Sequence, residues 1–324
     1  MKRVIIVGSD GQDGRILHDR LKVEGCAVLG IAKGTTRVTG KARNVEPVDI
    51  EDRRSVLRAV ESWSPDAVYY LCAYHHSSQE SAGSDVIGLF EKSYAVHVEG
   101  LLYFLDAIKA AGAGTRLFYA GSSLAFGEAA RPVQDETTPL NPRCVYGITK
   151  ANGVRCCRFY RETQGVGASV GFLYNHESIY RQEKFVSQKI IRGAIDVWRG
   201  RREKLVLGDL SARIDWGYAP DYVDAMMRIV ALPEAEDFVI ATGKPHSVQD
   251  FVETAFGLLG VDWKTHVEEE KGVLKRKRGE IAGDASKLRE KTGWKPSVTF
   301  EEMVEIMMNA AVAAENEKSA VTPA

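Results

Sequence analysis

The chain has 324 residues, enough for one large domain or two ordinary ones. Lys plus Arg number 43 against 44 Asp plus Glu, a net charge of -1, which excludes nucleic-acid binding driven by bulk positive charge. Hydrophobic residues make up 44% and charged residues 27%, as in a globular protein, and no apolar run approaches the ~18 residues of a membrane span.

Taken in chain order, the first apolar stretch, residues 4–7, is too short for a secretory leader and acidic residues follow it at once. It reads as a β-strand, and the protein is expected to be cytoplasmic. Further strand patterns fall at 27–31, 67–71, 116–120 and 168–173, with amphipathic helical patterns at 15–24, 53–62, 94–111 and 146–163 between them. Such alternation implies βαβ units and a parallel sheet covered on both faces. Right-handed crossovers then give an α/β fold with a doubly wound parallel sheet of Rossmann type. After about residue 175 the pattern loosens and charge clusters, which suggests a smaller C-terminal lobe. The acidic run Glu268-Glu269-Glu270 precedes the basic run Lys275-Arg276-Lys277-Arg278. The pair reads as a solvated loop with offsetting charges or as a basic loop closing over a phosphate. Cys26, Cys72, Cys144, Cys156 and Cys157 are odd in number, irregularly spaced and without a C-x-x-C, so reduced thiols and no metal site are expected. The tail from about residue 314 is small and polar and is expected to fray.

The first strand runs into Gly8-Ser9-Asp10-Gly11-Gln12-Asp13-Gly14 and then a helix, a G-x-x-G-x-x-G spacing. Gly8 suits the turn off the strand, Gly11 a close backbone approach to a pyrophosphate, and Gly14 close packing of helix on strand. The helix N-terminus supplies N–H donors and partial positive charge. Between a strand and a helix, this pattern predicts dinucleotide binding through Gly8, Gly11, Gln12, Asp13 and Gly14. Residues 1–174 are thus expected to form a dinucleotide-binding domain, and 175–324 mainly a substrate-binding lobe with some segments returning to the first. The second strand ends without the acid that would hold the ribose hydroxyls of NAD. Lys33 and Arg37 stand there instead, either pairing with a 2′-phosphate or lying as plain surface cations. NADP is therefore favoured, with NAD as the alternative. Asp49, after what reads as a third strand, is a candidate acceptor for the adenine amino group.

Tyr146-Gly147-Ile148-Thr149-Lys150 places a phenol and an ammonium one helical turn apart. The ammonium is expected to lower the phenol's pKa, making a base that draws a proton from a sugar hydroxyl while hydride leaves for a nicotinamide. Tyr180 and Lys184 repeat the pattern. Only Tyr146 follows a strand end carrying a serine, Ser122, able to hold the same hydroxyl, and Tyr180 is expected in a loop.

The chain resembles the extended short-chain dehydrogenase/reductase family, and within it the GDP-mannose 4,6-dehydratase branch. The resemblance rests on Gly11-Gln12-Asp13-Gly14, Asn175-His176-Glu177-Ser178, Phe185-Val186 with Lys189-Ile190, and Asp215-Trp216-Gly217 with Asp221-Tyr222-Val223. It continues through Ala241-Thr242-Gly243, His246-Ser247-Val248 and Gly293-Trp294-Lys295-Pro296, so it spans most of the chain. It implies oxidation at carbon 4 of a hexose, removal of the carbon 5 proton by a glutamate with loss of water from carbon 6, and return of hydride to carbon 6. By position it implies Tyr146 as base, Lys150 as its tuner and Ser122 as hydroxyl holder. A nucleotide-sugar site is implied around Ser123, Asn175, Glu177, Phe185, Val186, Lys189, Arg192 and Arg213, with Arg276 and Arg278 as phosphate ligands. It also implies a homodimer or homotetramer paired through the helices at 94–111 and 146–163, with neither nucleic acid nor membrane as partner.

The sequence departs from the family where the elimination needs it most. The family's strand-end motif carries a glutamate two residues past the hydroxyl, and Leu124 stands here. Leucine accepts no proton, and a positioned base contributes roughly 10²–10⁴-fold in rate. His75, His76 and Glu80 follow the fourth strand and are candidate substitutes, or simply surface residues. The arginine expected directly before Asp215-Trp216 is Ile214, with Arg213 one residue earlier. The competing readings are a 4-keto-sugar reductase, 4-dehydrogenase or epimerase without dehydration, and a non-catalytic cofactor-binding sensor.

Overall fold

The computed structural model describes residues 2–40, 46–74, 85–112, 114–128, 130–270 and 281–321, with the backbone alone for 318–321. The first half runs β1 (Arg3–Val7), α1 (Gln12–Val23), β2 (Ala27–Ala32), β3 (Thr35–Thr39), α2 (Arg53–Trp63), β4 (Ala67–Tyr70), α3 (Val86–Tyr94), α4 (Gly100–Ala111), β5 (Arg116–Ala120), the short β6 (Val133–Gln134), α5 (Val145–Gln164) and β7 (Gly167–Leu173). The second runs β8 (Asn175–Glu177), α6 (Val186–Trp198), β9 (Leu205–Leu207), β10 (Arg213–Tyr218), α7 (Ala219–Ala231), β11 (Asp237–Ile240), β12 (Pro245–Ser247), α8 (Val248–Leu258), β13 (Val267–Glu269), β14 (Ala282–Gly283), α9 (Ser286–Thr292) and α10 (Phe300–Val321).

Seven strands form the main sheet in the order β11-β7-β5-β4-β1-β2-β3, all parallel except β3. The inner strands read as unbroken apolar runs because helices cover both faces. Ile5 registers with Leu29 on one side and Val68 on the other, so the strand order reverses around β1. Ligands of open α/β sheets bind at such a reversal, beyond the carboxyl ends of the strands.

Three expectations need correction. The segment after the second strand is a hairpin: it turns at Gly34 (φ +69°), and Thr35–Thr39 pairs back antiparallel on β2. Its β-branched residues favour that extended form over an open cofactor loop. No strand precedes Val48-Asp49-Ile50 among the described residues from 46 on; they lead straight into α2. The helix expected at 94–111 is also longer, because α3 and α4 are continuous through a π-helical turn, Ala95–Glu99.

Two hydrophobic clusters organise the chain. The larger surrounds the main sheet and includes Tyr222 and Met226 of α7, Phe238 of β11, Leu288 of α9 and Trp294. The smaller gathers Ile190 and Ile191 of α6, Trp216 of β10, Phe251 of α8 and Phe300 and Met307 of α10. Buried carboxylates join the pieces. Asp215 accepts from Thr242 N and Oγ1, Gly243 N and Gly283 N. Asp221 accepts from Ser297 N and Oγ, and its carbonyl accepts from Trp294 Nε1. Among the described residues, no helix is long and apolar enough to cross a membrane.

Candidate active site

The glycine loop closes the reversal point of the sheet. A Cβ on Gly8 would lie 2.7 Å from the Cys72 nitrogen, just past β4, and one on Gly14 would lie 2.2 Å from the Gly8 carbonyl oxygen. Only glycines let α1 seat directly on the loop. No side chain caps α1 at Gly11, so its first-turn donors and the positive end of its dipole remain for an anion. Arg37, on β3, borders this loop through a 2.9 Å ion pair with Asp10. Lys33 is exposed at the hairpin, and the exposed Asp49 carboxylate accepts from Glu51 N at 2.9 Å.

Gln12 and Asp13 engage protein. The Asp13 carboxylate meets His176 Nε2 at 3.0 Å, Gln12 Nε2 donates to the His176 carbonyl at 3.0 Å, and Ser178 Oγ donates to Gln12 Oε1 at 2.8 Å. Burial raises the Asp13 pKa, but the attraction and hydrogen bond of His176 override it and leave Asp13 below its ordinary range. His176 responds in mirror image: burial disfavours its cation, and Asp13 more than offsets that, leaving it raised. The two strings that carried the resemblance most specifically thus clasp each other across the clusters' boundary.

The catalytic candidates meet at the end of β5. Cys144 caps α5 by accepting from Gly147 N, which puts Tyr146 in the first turn. A Cβ on Gly147 would lie 2.4 Å from the Leu124 carbonyl oxygen, so the start of α5 presses onto the 3-10 turn Ser123–Ala125. Ser122 Oγ accepts from Leu124 N at 3.2 Å. Lys150 is 1% exposed, donates to the Ala120 carbonyl at 2.8 Å and lies 5.7 Å from the Tyr146 ring centroid. Burial pulls Lys150 down to about 8.

The expectation that Lys150 lowers the phenol's pKa is not met. Burial raises Tyr146 above its ordinary value, and the cation opposing that most strongly is Arg181. The burial cost of the phenolate outweighs the cations around it. Arg181 is itself held, ion-paired with Glu177 at 3.0 Å and stacked 3.6 Å from the Phe185 ring centroid. Glu177 is 1% exposed and also accepts from Ser187 Oγ at 2.7 Å. Sequence reasoning missed Arg181 because no spacing rule links it to Tyr146. It missed His97 too, whose ring stands edge-on to Tyr146 at 5.2 Å. A histidine inside a helical pattern carries no signal of its own.

The other candidates are distributed around the second lobe. Asn175 opens β8 opposite Trp216, Phe185 caps α6, and Val186 and the half-buried Lys189 follow in that helix. Ser123 lies in the turn beside Ser122. Exposed Arg192 pairs with Glu183 at 2.9 Å, and Arg213 donates to the Pro245 carbonyl at 2.7 Å. Tyr180 lies in a turn. His75, His76, Glu80, Arg276 and Arg278 lie outside the described residues. Among the described residues, no cluster of His, Cys, Asp and Glu is placed to hold a metal ion.

The family model for GDP-mannose 4,6 dehydratase matches residues 5–307. The chain belongs to that family. Members are NAD(P)-dependent enzymes that modify nucleotide sugars. GDP-mannose 4,6 dehydratase 1 of Arabidopsis thaliana is 34% identical, covering 95% of this chain and 89% of its own. RMD from Pseudomonas aeruginosa, complexed with NADPH, superposes with a TM-score of 0.80 at 20% identity, covering 97% of this chain and 100% of its own. UDP-glucose 4-epimerase from Thermus thermophilus, in complex with NAD, gives 0.78 at 21%, covering 96% and 99%. These two structures share the fold.

Proposed function

We propose that the chain oxidises carbon 4 of a GDP-linked hexose with NADP, using Tyr146 as proton acceptor, Lys150 as the cation beneath it and Ser122 as holder of the sugar hydroxyl. The observation that carries this is the convergence of Tyr146, Lys150 and Ser122 at the end of β5, in a sheet whose glycine loop lies at the strand reversal. The cradle fits a dinucleotide: Gly8 and Gly14 admit no side chain, and α1 has no side-chain cap. Gly8, Gly11 and Gly14 would hold its pyrophosphate, with Arg37 and Lys33 near the adenosine end, where they suit a 2′-phosphate. The bound nicotinamide supplies a hydride acceptor. The protein's own part is to exclude water around Tyr146, fix the phenol by the start of α5 and hold a buried ammonium at Lys150. Arg181 favours the phenolate when the proton moves. Asn175, Lys189, Arg192 and Arg213 are read as nucleotide-sugar contacts.

Leu124 favours a second reading, in which the same chemistry at carbon 4 proceeds without loss of water. The half-buried Leu124 stands two residues past Ser122 and offers no proton acceptor where the family's elimination needs one. Incubation with GDP-mannose and NADP in deuterated water separates the two. Deuterium at carbon 5 with loss of water supports dehydration, a 4-keto or 4-epimeric product without exchange supports the second reading, and no reaction with any nucleotide sugar overturns both. Exposed Phe159 on α5 and exposed Ile87 on α3 support pairing of copies through these helices, which light scattering tests.

A further inference from the structure

His97 is 0% exposed, sits in the π-helical turn between α3 and α4, and is used by no step above. Turns of this kind are uncommon and concentrate at functional sites. Here the turn is held by two tyrosines of the sheet: Tyr70 Oη donates to the Val96 carbonyl at 2.5 Å and Tyr119 Oη to the His97 carbonyl at 3.3 Å. The rings belong to the adjacent strands β4 and β5, and β5 is the strand whose end carries Ser122, so the turn is anchored to the sheet beside the site.

The hydrogen bonds of His97 fix its tautomer. Nε2 accepts from the backbone N–H of Tyr74 at 2.9 Å, and a backbone N–H can only donate, so Nε2 carries no proton. The proton is therefore on Nδ1, 2.7 Å from Thr149 Oγ1. Thr149 Oγ1 in turn lies 3.0 Å from the Val145 carbonyl and 3.1 Å from that of Tyr146. A line of donors with one polarity thus runs from the segment after β4, through a neutral imidazole and a buried hydroxyl, to the carbonyls of Val145 and Tyr146 in the first turn of α5, which share the single hydroxyl proton. The same imidazole packs edge-on to the phenol ring at 83°.

We infer that His97 is a positioning residue for Tyr146: as a neutral imidazole it fixes both the backbone and the ring of the phenol and ties them to the chain at Tyr74. It does not exchange protons with substrate, because both nitrogens are occupied by protein. The inference deepens the proposed function, and its test reads the phenol without any substrate. The chain is labelled with 3-fluorotyrosine, and the Tyr146 resonance is assigned as the one lost in Tyr146→Phe. His97→Phe keeps a ring and removes both hydrogen bonds; His97→Asn keeps a donor near the Nδ1 position. The expected result is a Tyr146 fluorine signal that moves toward that of free fluorotyrosine in His97→Phe and returns toward the parent position in His97→Asn, with both variants melting near the parent. On GDP-mannose with NADP, kcat of His97→Phe falls about thirtyfold while both KM values change less than about threefold, as misplacement of a reacting group predicts. An unchanged fluorine signal in His97→Phe overturns the inference, as does a His97→Asn signal no closer to the parent. The expected fluorine shifts in a chain that turns over no nucleotide sugar would leave His97 as inferred and defeat the substrate reading instead.

Discussion

The surroundings of Tyr146 and the seam between Gln12-Asp13 and Asn175–Ser178 both set polar groups in half-buried or buried positions, yet they are built on opposite terms. In the seam the Asp13 carboxylate and the His176 ring lie within hydrogen-bond distance, and each shifts the other's pKa toward its charged form, Asp13 downward and His176 upward. Around Tyr146, burial disfavours the charged forms of both Tyr146 and Lys150. The seam is an arrangement for holding; the groups at the end of β5 carry perturbed pKa values, as proton-transferring groups do, in keeping with the role proposed for them.

Breaking either region should show which is which. The largest effect is expected from Tyr146→Phe: turnover falls by about a thousandfold while the thermal melt and cofactor titration stay near the parent. A variant that keeps its activity would remove the phenol from the chemistry. Next, Asp13→Ala removes the carboxylate that meets His176 Nε2 in the seam and should cost about 1–3 kcal/mol of unfolding free energy in urea, since a buried polar group is left without its partner. Gly14→Ala sharpens the comparison at the loop between them. Its Cβ would fall 2.2 Å from the Gly8 carbonyl oxygen, so α1 must shift. A stability loss of about 1–3 kcal/mol is expected, with cofactor affinity, read by quenching of protein fluorescence, down at least tenfold. The smallest effect is in pH dependence. His176 is raised from 6.5, so its contribution is full below 6.5 and lost as pH rises through the folded value. Asp13 is lowered from 3.8, so its contribution is full above 3.8 and lost as pH falls through the folded value. The parent should therefore lose unfolding free energy on the alkaline side of 6.5 by more than an Asp13→Asn, His176→Gln double variant does.

The sequence was most legible where periodicity and glycine spacing act alone. Strands β1, β2, β4, β5 and β7, the glycine loop and the start of α5 lie within a few residues of where apolar runs and turn residues put them, because each is decided by local sterics and by burial on both faces, whereas the parallel edge strand β11 was not foreseen. The hairpin strand Thr35–Thr39 is hard to read from sequence because it is short, lies at the sheet edge and has no buried residue to mark it with an apolar run. The site was legible as a set of residues more than as an electrostatic arrangement. Tyr146, Lys150 and Ser122 come together, but the pKa of the phenol depends on how deeply the fold buries it and on where Glu177 holds Arg181. Neither fact has a period or a spacing. Asp215 and Asp221 teach the same point: strings that mark the family are here fasteners between segments far apart in sequence.

The chain changes allegiance between the two hydrophobic clusters repeatedly: α7 and β11 return to the main sheet after α6 and β10 have left it, and α9 returns again before α10 leaves. A gene fusion that swapped everything beyond β7 for the matching part of a relative would carry off β11, one edge of the sheet, together with the smaller cluster. New substrate preference in such a scaffold is therefore more accessible through point changes such as the one at Leu124 than through exchange of whole modules.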